Sequence, residues 1–216
     1  MDVIGDTGAL VARARALAEL GQRRILALVG PPGGGKSTAA RVIADALGAA
    51  AVLVPMDGFH LAQDELERLG RRERMGAPDT FDAAGYVALL RRLRDPRERV
   101  VYAPEFRREV EEPFAGAIAI PASVPLVVTE GNYLLLAEGD WAGVRPLLDA
   151  AWYVETDEQE RIERLIARHI RFGKSPDHAR AWTLGTDQRN AELVAATKAR
   201  ADAVVELRHT TASGHP

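Results

Sequence analysis

The sequence has no cysteine among its 216 residues, so it can form neither disulfides nor thiolate metal sites. It also lacks an excess of positive charge, since a net charge of −3 gives no global attraction for nucleic acid or an anionic membrane. No apolar run approaches the length of a membrane span. The N-terminus carries Asp2 and Asp6 and lacks the basic-then-apolar pattern of a signal peptide. We therefore expect a cytoplasmic enzyme that has neither nucleic acid nor a membrane as a partner.

The most informative stretch that is present is a glycine-rich loop at residues 30–37, GPPGGGKS, which fits G-x-x-x-x-G-K-[ST] at every fixed position. Apolar residues 24–29 before it predict a buried strand, and residues 38–47 after it predict a helix. Glycines allow consecutive backbone N–H groups to surround an anion, and the helix that starts at Lys36 adds the positive end of its dipole. The loop therefore predicts a nucleoside triphosphate site, with a ligand-free glycine turn as the alternative.

ATP and Mg²⁺ are the cofactors that this loop predicts. Lys36 would reach the β- and γ-phosphates, and the Ser37 hydroxyl would bind Mg²⁺. The predicted cofactor-binding residues are Gly33, Gly34, Gly35, Lys36, Ser37 and Thr38.

The rest of the chain alternates strand patterns with helical ones. Predicted strands cover residues 24–29, 51–56, 126–129, 150–154 and 203–207, with short strands at 99–102 and 117–120 that could form a hairpin outside the main sheet. Predicted helices cover residues 10–20, 38–47, 61–69, 82–93, 141–148, 157–172 and 176–198. This alternation predicts an α/β fold in which a mainly parallel sheet is covered by helices on both faces.

Two acidic residues follow predicted strands and should meet the glycine loop, because ligands bind beyond the carboxyl ends of strands in open α/β sheets. Asp57 follows the strand at 51–56, where it could orient a hydroxyl group and accept its proton during phosphoryl transfer. Glu130 follows the strand at 126–129 and could hold Mg²⁺, directly or through water. The alternatives are a turn cap for Asp57 and a hydrogen bond to the glycine loop for Glu130.

An arginine-rich helix is predicted near the C-terminal third. Its face carries Arg161, Arg164, Arg168 and Arg171 at three- and four-residue steps. Asp157 and Glu160 precede the first two by four residues, so we expect those two to be partly engaged in surface ion pairs. Arg168 is left as the predicted catalytic arginine that would neutralise charge on the transferred phosphoryl group.

A small excursion between the second and third predicted strands of the sheet is a candidate acceptor pocket. The residues that we expect to bind the acceptor are His60, Tyr102, Phe106 and Arg108. The alternative is that the charged residues there protect an edge strand from pairing. Two further arginine-rich stretches, at 71–74 and 91–94, would suit an anionic acceptor or simply face solvent.

The order of motifs along the chain resembles a known superfamily. After the glycine loop come MDGFH at 56–60, GAPDTFD at 76–82, YAPEF at 102–106 and TEGNY at 129–133, followed by the arginine-rich helix. This series resembles the superfamily of uridine kinase, phosphoribulokinase and bacterial pantothenate kinase. It is most similar to a nucleoside/nucleotide kinase-like branch, some members of which are linked to sugar (fructose) transport operons.

The resemblance implies a P-loop NTPase fold with three αβα layers. It implies that Asp57 is the catalytic base, that Glu130 and Gly131 lie beside the phosphates, and that lid arginines contact the nucleotide. It further implies that residues 198–202 border the adenine. At residues 104–108, PEFRR departs from the acceptor segment of uridine kinases, so the resemblance leaves the acceptor open.

We accordingly expect one kinase domain over residues 1–209, with the acceptor excursion at about 58–122, a lid at about 168–178 and a frayed tail at 210–216. The expected function is ATP-dependent phosphorylation of a hydroxyl on a small molecule, such as a nucleoside, a sugar or a pantothenate-like compound. The alternatives are a nucleoside monophosphate kinase and a regulatory P-loop ATPase. A homodimer is left open.

Overall fold

The main sheet of the protein has six parallel strands in the order β1-β8-β7-β2-β6-β3. A computed structural model describes residues 1–95 and 97–207, so the tail expected at 210–216 and the last two residues of the expected domain lie outside the described residues. The strands of this sheet are β1 (Asp2–Ile4), β2 (Arg24–Val29), β3 (Ala51–Pro55), β6 (Leu126–Gly131), β7 (Ala150–Val154) and β8 (Ala203–Val205).

Seven α-helices are present within the described residues. They are α1 (Thr7–Ala18), α2 (Lys36–Leu47), α3 (Gln63–Arg68), α4 (Ala83–Arg94), α5 (Glu158–Arg171), α6 (Pro176–Trp182) and α7 (Gln188–Ala195). None of the helices in the described part of the chain combines the length and the apolar character that crossing a bilayer requires.

The central strand β2 shows why the sheet needs a layer on each face. Successive side chains of a strand point to opposite faces, and every side chain from Ile25 to Val29 is fully buried. Ile25, Ala27 and Val29 join the core that includes α4 residues, whereas Leu26 and Leu28 join the core beneath α1 and α2. The α/β fold with three layers is therefore confirmed.

A two-stranded antiparallel hairpin lies outside the main sheet, as the sequence predicted, although both strands are longer than expected. They are β4 (Val100–Arg107) and β5 (Glu112–Pro121), and their register shifts between Ala103 and Glu105. The hairpin packs on the 3₁₀ turn Met56–Phe59, where a side chain at Gly58 would collide with the backbone of Pro104. The hairpin is thereby held beside the end of β3.

The structure differs from the sequence prediction at three elements. The helix expected at 176–198 is interrupted by a π-helical turn, Thr183–Asp187, between α6 and α7. The helix expected at 141–148 is instead two 3₁₀ turns, because Pro146 has no N–H to continue a helix. Strand β1 was not predicted, since three residues are too few to show a period, and it is added to the sheet edge beside β8.

The register of the sheet brings three strand ends together. Val29 pairs with Gly131, and Pro55 pairs with Glu130. The glycine loop, Asp57 and Glu130 consequently lie at the same edge, as the sequence predicted from the carboxyl ends of parallel strands.

Candidate active site

The glycine loop forms an open cradle between β2 and α2. Gly33 and Gly35 have φ values of +76° and +86°, which L side chains rarely adopt. A Cβ atom at Gly33 would also lie 2.7 Å from Leu165 Cγ of α5. The first turn of α2 has no side-chain cap, so its N–H groups and dipole are available to an anion. These features fit a phosphate ligand.

Lys36 is buried at the base of this cradle, with only 7% of its surface exposed. Its ammonium group donates hydrogen bonds to Pro31 O at 2.9 Å and to Asn132 Oδ1 at 2.8 Å, both of which are neutral. Burial lowers the pKa of Lys36 to about 8, although the charges of Glu130 and Asp57 act in the opposite direction. A bound triphosphate would give the buried Lys36 ammonium group an anionic hydrogen-bond partner, which would favour its charged form.

Ser37 and Glu130 face each other across the end of β6. The Ser37 hydroxyl donates to Glu130 Oε1 at 3.0 Å, so both expected roles of Glu130, the metal site and the bond to the loop, are compatible with the geometry. Burial raises the pKa of Glu130, and the neighbouring Asp57 charge raises it further. Two protein oxygens fit Mg²⁺, which keeps several waters and takes phosphate oxygens. The described residues contain no cluster of three or more His, Cys, Asp or Glu side chains that could hold a metal alone.

Asp57 lies directly beyond β3 and is held from two sides. Its Oδ2 atom accepts a hydrogen bond from Arg108 Nη2 at 2.8 Å, and its backbone oxygen accepts one from His60 Nδ1 at 2.8 Å. Burial would raise the pKa of Asp57, but electrostatic interactions with His60, Arg108 and Lys36 outweigh that effect and lower it. Asp57 is therefore an ionised hydrogen-bond acceptor beside the cradle.

His60 forms the centre of an aromatic wall. Its ring centroid is 3.9 Å from that of Phe81 and 4.6 Å from that of Phe106. Burial lowers the pKa of His60 despite the nearby Asp57 charge, which favours the neutral ring. Since a backbone oxygen can only accept, Nδ1 carries the proton and Nε2 is left as an acceptor.

Tyr102 is the one expected acceptor residue that the structure places elsewhere. It is 57% exposed and does not line the cleft, whereas His60, Phe106 and Arg108 do. Strand alternation explains the difference, because Val101 and Ala103 are buried and Tyr102 must then face solvent. The structure therefore does not bring Tyr102 to the cleft that the other three residues line, and its role in acceptor binding stays a prediction.

The arginines of α5 separate into different roles. Arg161 contacts Gln188 and Glu158, rather than the expected Asp157. Arg164 forms an ion pair with Glu160, which confirms that pairing, and also donates to Thr156 Oγ1 at 3.3 Å.

Arg168 lines the cleft, as its predicted role requires. Burial and the Arg108 charge lower its pKa, and it lies near the charges of Asp187, Asp57 and Glu130. Arg171 is exposed.

The cleft that these groups line has a volume of about 650 Å³. It also includes Arg72, from the arginine-rich stretch at 71–74 whose role the sequence left open, and five residues that were not among the predicted site residues: Met75, Gly76, His169, Asp187 and Asn190. Asp187 and Asn190 are buried, and they flank the junction of the π turn and α7. His169 Nε2 lies 2.7 Å from Asp187 Oδ2, and the Asn190 amide donates to Gly76 O at 3.2 Å. The break in the predicted helix is the feature that could have identified this wall of the cleft, since π turns often mark functional sites.

Another part of the cleft is lined by Glu155 and Thr156, which directly follow β7. Lys198 donates to Glu155 Oε2 at 2.5 Å, which joins the turn at 198–200 to this part. The segment that the resemblance assigned to the adenine border therefore adjoins the cleft at the side of Arg164 and Leu207.

The chain is similar to two known proteins over most of its length. It is 34% identical to a candidate uridine kinase of Schizosaccharomyces pombe over 170 residues, which are 74% of this chain and 72% of the relative. It is also 34% identical to YggC, an uncharacterised protein of Escherichia coli, over 191 residues that are 86% of this chain and 78% of the relative. No family profile matches the chain.

A solved structure agrees over nearly the whole fold. The candidate fructose transport system kinase from Silicibacter sp. TM1040 has a TM-score of 0.81 and 33% identity, covering 90% of this chain and 98% of that one. The chain belongs to the P-loop kinase superfamily of uridine kinase, phosphoribulokinase and bacterial pantothenate kinase. The expected family and fold are both confirmed. Two further relatives are named as an ATP-dependent kinase-like protein of Aspergillus versicolor and an ATP-dependent kinase of Zygosaccharomyces rouxii.

Proposed function

We propose that this P-loop kinase transfers the γ-phosphoryl group of ATP to a hydroxyl group of a small metabolite. The observation that carries the proposal is the position of Asp57, an ionised carboxylate that lies in one cleft with the phosphate cradle and with the aromatic wall around His60. An alcohol needs such a group to orient it and to accept its proton. Nucleosides, sugars and pantothenate-like compounds are the acceptor classes.

The residues predicted for the site take different roles in the proposed reaction. Backbone N–H groups of residues 33–38 and the Lys36 ammonium bind the triphosphate, while Ser37 and Glu130 hold Mg²⁺ directly or through water. When bound, the nucleotide and metal supply the transferable phosphoryl group and neutralise part of its charge. Asp57 holds the acceptor hydroxyl through a carboxylate oxygen and takes its proton. Arg168 stabilises the negative charge that develops on the phosphoryl oxygens.

We further propose that residues 58–122 build the acceptor half of a single domain and that residues 168–178 act as its lid. A lid that excludes water would suppress ATP hydrolysis in the absence of acceptor. The homodimer and the cytoplasmic location stay predictions.

The two alternative functions differ in what they require of Asp57. A nucleoside monophosphate kinase transfers to a phosphate and needs cations around its acceptor but no base. A regulatory ATPase would turn over without any acceptor and would respond to a protein partner. The carboxylate beside the phosphate cradle favours transfer to an alcohol over both.

The test is a screen of ADP release with nucleosides, nucleoside monophosphates, sugars, sugar phosphates and pantothenate as acceptors. We expect at least one alcohol to accelerate ADP release and to appear as a phosphate monoester by mass spectrometry. Phosphorylation of monophosphates alone would favour the first alternative. ADP release that no compound stimulates, with inorganic phosphate as the only product, would favour the second.

A further inference from the structure

Arg72 differs from the two neighbouring arginines in the groups that it contacts. Within the arginine-rich stretch at 71–74, Arg71 lies 3.4 Å and Arg74 lies 2.5 Å from Asp79 Oδ2. Arg72 lines the cleft instead, and no carboxylate among the described residues lies within ion-pair distance of it. The hydrogen-bonding partners of Arg72 within residues 1–95 and 97–207 are uncharged: Gln63 Oε1 and the sulfur of Met75. One cation of this stretch therefore faces the cleft without an anionic partner.

The second stretch, at 91–94, has a structural explanation. Arg92 pairs with Glu98 at 2.8 Å, and Arg94 pairs with Asp149 at 2.7 Å. Arg91 is exposed on α4 and does not line the cleft. The arginines at 91–94 therefore belong to the protein surface. Whether the acceptor is anionic depends instead on Arg72 and Arg108.

Arg72 and Arg108 stand at the same end of the cleft. Gln63, which accepts from Arg72, donates through Nε2 to Val110 O and Glu111 O, each at 3.1 Å. Those two residues belong to the turn that follows Arg108 in the β4–β5 hairpin. The two guanidinium groups are thus carried by segments that are hydrogen-bonded to each other.

Arg108 occupies one oxygen of Asp57 in this structure. The side chains of Arg108 and Asp57 are 38% and 29% exposed, and ion pairs that reach solvent are weakly held. A neutral alcohol would offer Arg108 no replacement charge. An acceptor with a carboxylate or phosphate beside its hydroxyl would give the guanidinium a bidentate partner and release the Asp57 oxygen.

We infer that the acceptor is an anionic metabolite, in which a carboxylate or phosphate binds Arg72 and Arg108 and draws Arg108 away from Asp57. Arg108 then acts as a guard on the catalytic carboxylate, which becomes free only when the charged acceptor is bound. The inference rests on the proposed function and narrows it to acceptors with both a negative charge and a hydroxyl group. The carboxylate and phosphate alternatives share this chemistry and are separated by the test.

The test uses sets of acceptors in which a neutral compound is compared with related compounds that carry a carboxylate or a phosphate: glycerol with glycerate and glycerol 3-phosphate, glucose with gluconate and glucose 6-phosphate, and panthenol with pantothenate. We expect kcat/KM for an anionic member to exceed that of its neutral counterpart by at least about tenfold, as one charged hydrogen-bonded pair supplies. The better anion within a set identifies the carboxylate or the phosphate. Arg72→Gln and Arg108→Gln should bring the ratio close to one, whereas Arg91→Gln should leave it unchanged.

Equal or better use of the neutral members would overturn the inference, as would an unchanged ratio in both Arg72→Gln and Arg108→Gln. A second readout covers the case in which no compound in any set is phosphorylated, a result that counts against the proposed function. With the glycine loop saturated by a non-hydrolysable ATP analogue and Mg²⁺, the anions should raise the unfolding temperature of the wild type more than that of Arg72→Gln. An equal rise in both proteins would exclude the anion subsite whatever the reaction.

Discussion

The two ends of the cleft are built in different ways. At the phosphate end, one short segment supplies backbone N–H groups and Lys36, and its shape is fixed by glycines packed against α5. At the acceptor end, side chains from four separate segments meet: His60, Arg72, Phe106 and Asn190. We expect the first end to bind any nucleotide tail of the right charge, because backbone groups carry no side-chain specificity. We expect the second end to determine the choice of acceptor, because each segment can change without disturbing the sheet.

The largest effect that separates the two ends should come from Asp57→Asn. Losing the base should lower acceptor phosphorylation by about 10³-fold, a typical contribution of general base catalysis. Nucleotide binding should persist, because the phosphate end is untouched. Steady-state ADP release with acceptor and calorimetric titration with ATP measure the two properties.

Asp79→Asn is the matched control, since Asp79 is also paired with arginine but does not line the cleft. Loss of nucleotide binding in a folded Asp57→Asn protein would mean that Asp57 belongs to the phosphate end. Equal losses of phosphorylation in both variants would point to folding rather than catalysis.

Arg168→Gln should lower kcat by about 10²-fold, the usual effect of removing one group that stabilises transition-state charge. The dissociation constant of ATP should change much less, because Lys36 and the backbone cradle remain. The comparison variant is Arg171→Gln, because Arg171 is three residues further along α5 and is exposed. A large change in ATP affinity with kcat intact would assign Arg168 to ground-state binding.

The phosphate end should depend on pH through Lys36. Burial lowers the pKa of Lys36 to about 8, and the charged form binds the triphosphate. Affinity should therefore be constant below that value and fall as the pH rises through it, by at most about tenfold per pH unit. Titrations of ATP from about pH 7.5 to about 9.5 measure the slope. Lys36→Met should bind weakly with no such slope, and a wild-type affinity that stays constant would contradict the buried cation.

The smallest effects should come from the two aromatic residues of β4. Phe106→Ala removes the ring stacked on His60 and should raise the acceptor KM by about tenfold, in line with the energy of an aromatic contact. Tyr102→Ala alters an exposed ring outside the cleft and should change KM by less than about twofold. The reverse order of the two effects would show that the acceptor lies on the solvent face of the hairpin.

The phosphate end could be predicted from the sequence because it is local. The strand before residue 30, the glycine positions and the helix from Lys36 each leave a contiguous pattern, and parallel strands bring Asp57 and Glu130 to the same edge. The acceptor end could be predicted only in part. Phe106 and Arg108 line the cleft, but the predicted strand at 99–102 gave no basis for choosing the face of Tyr102.

The other residues of the cleft depend on contacts that the sequence does not show. Arg72 lines the cleft, whereas Arg71 and Arg74 are engaged by Asp79, and the sequence of this stretch does not tell the three arginines apart. Asp187 and Asn190 are placed by a π turn inside a stretch that has an ordinary helical pattern. The interruption of that helix is a tertiary feature, so periodicity alone could not indicate it.

The central claim is that the backbone cradle and Asp57 act on the same phosphoryl group. A crystal structure with a non-hydrolysable ATP analogue and Mg²⁺ tests it most directly. We predict that the triphosphate lies on the N–H groups of residues 33–38, with one hydroxyl-sized gap, roughly 3 Å from each, between Asp57 and the γ-phosphorus. A cradle without phosphate, or an Asp57 carboxylate turned away from the γ-phosphate, would contradict the account.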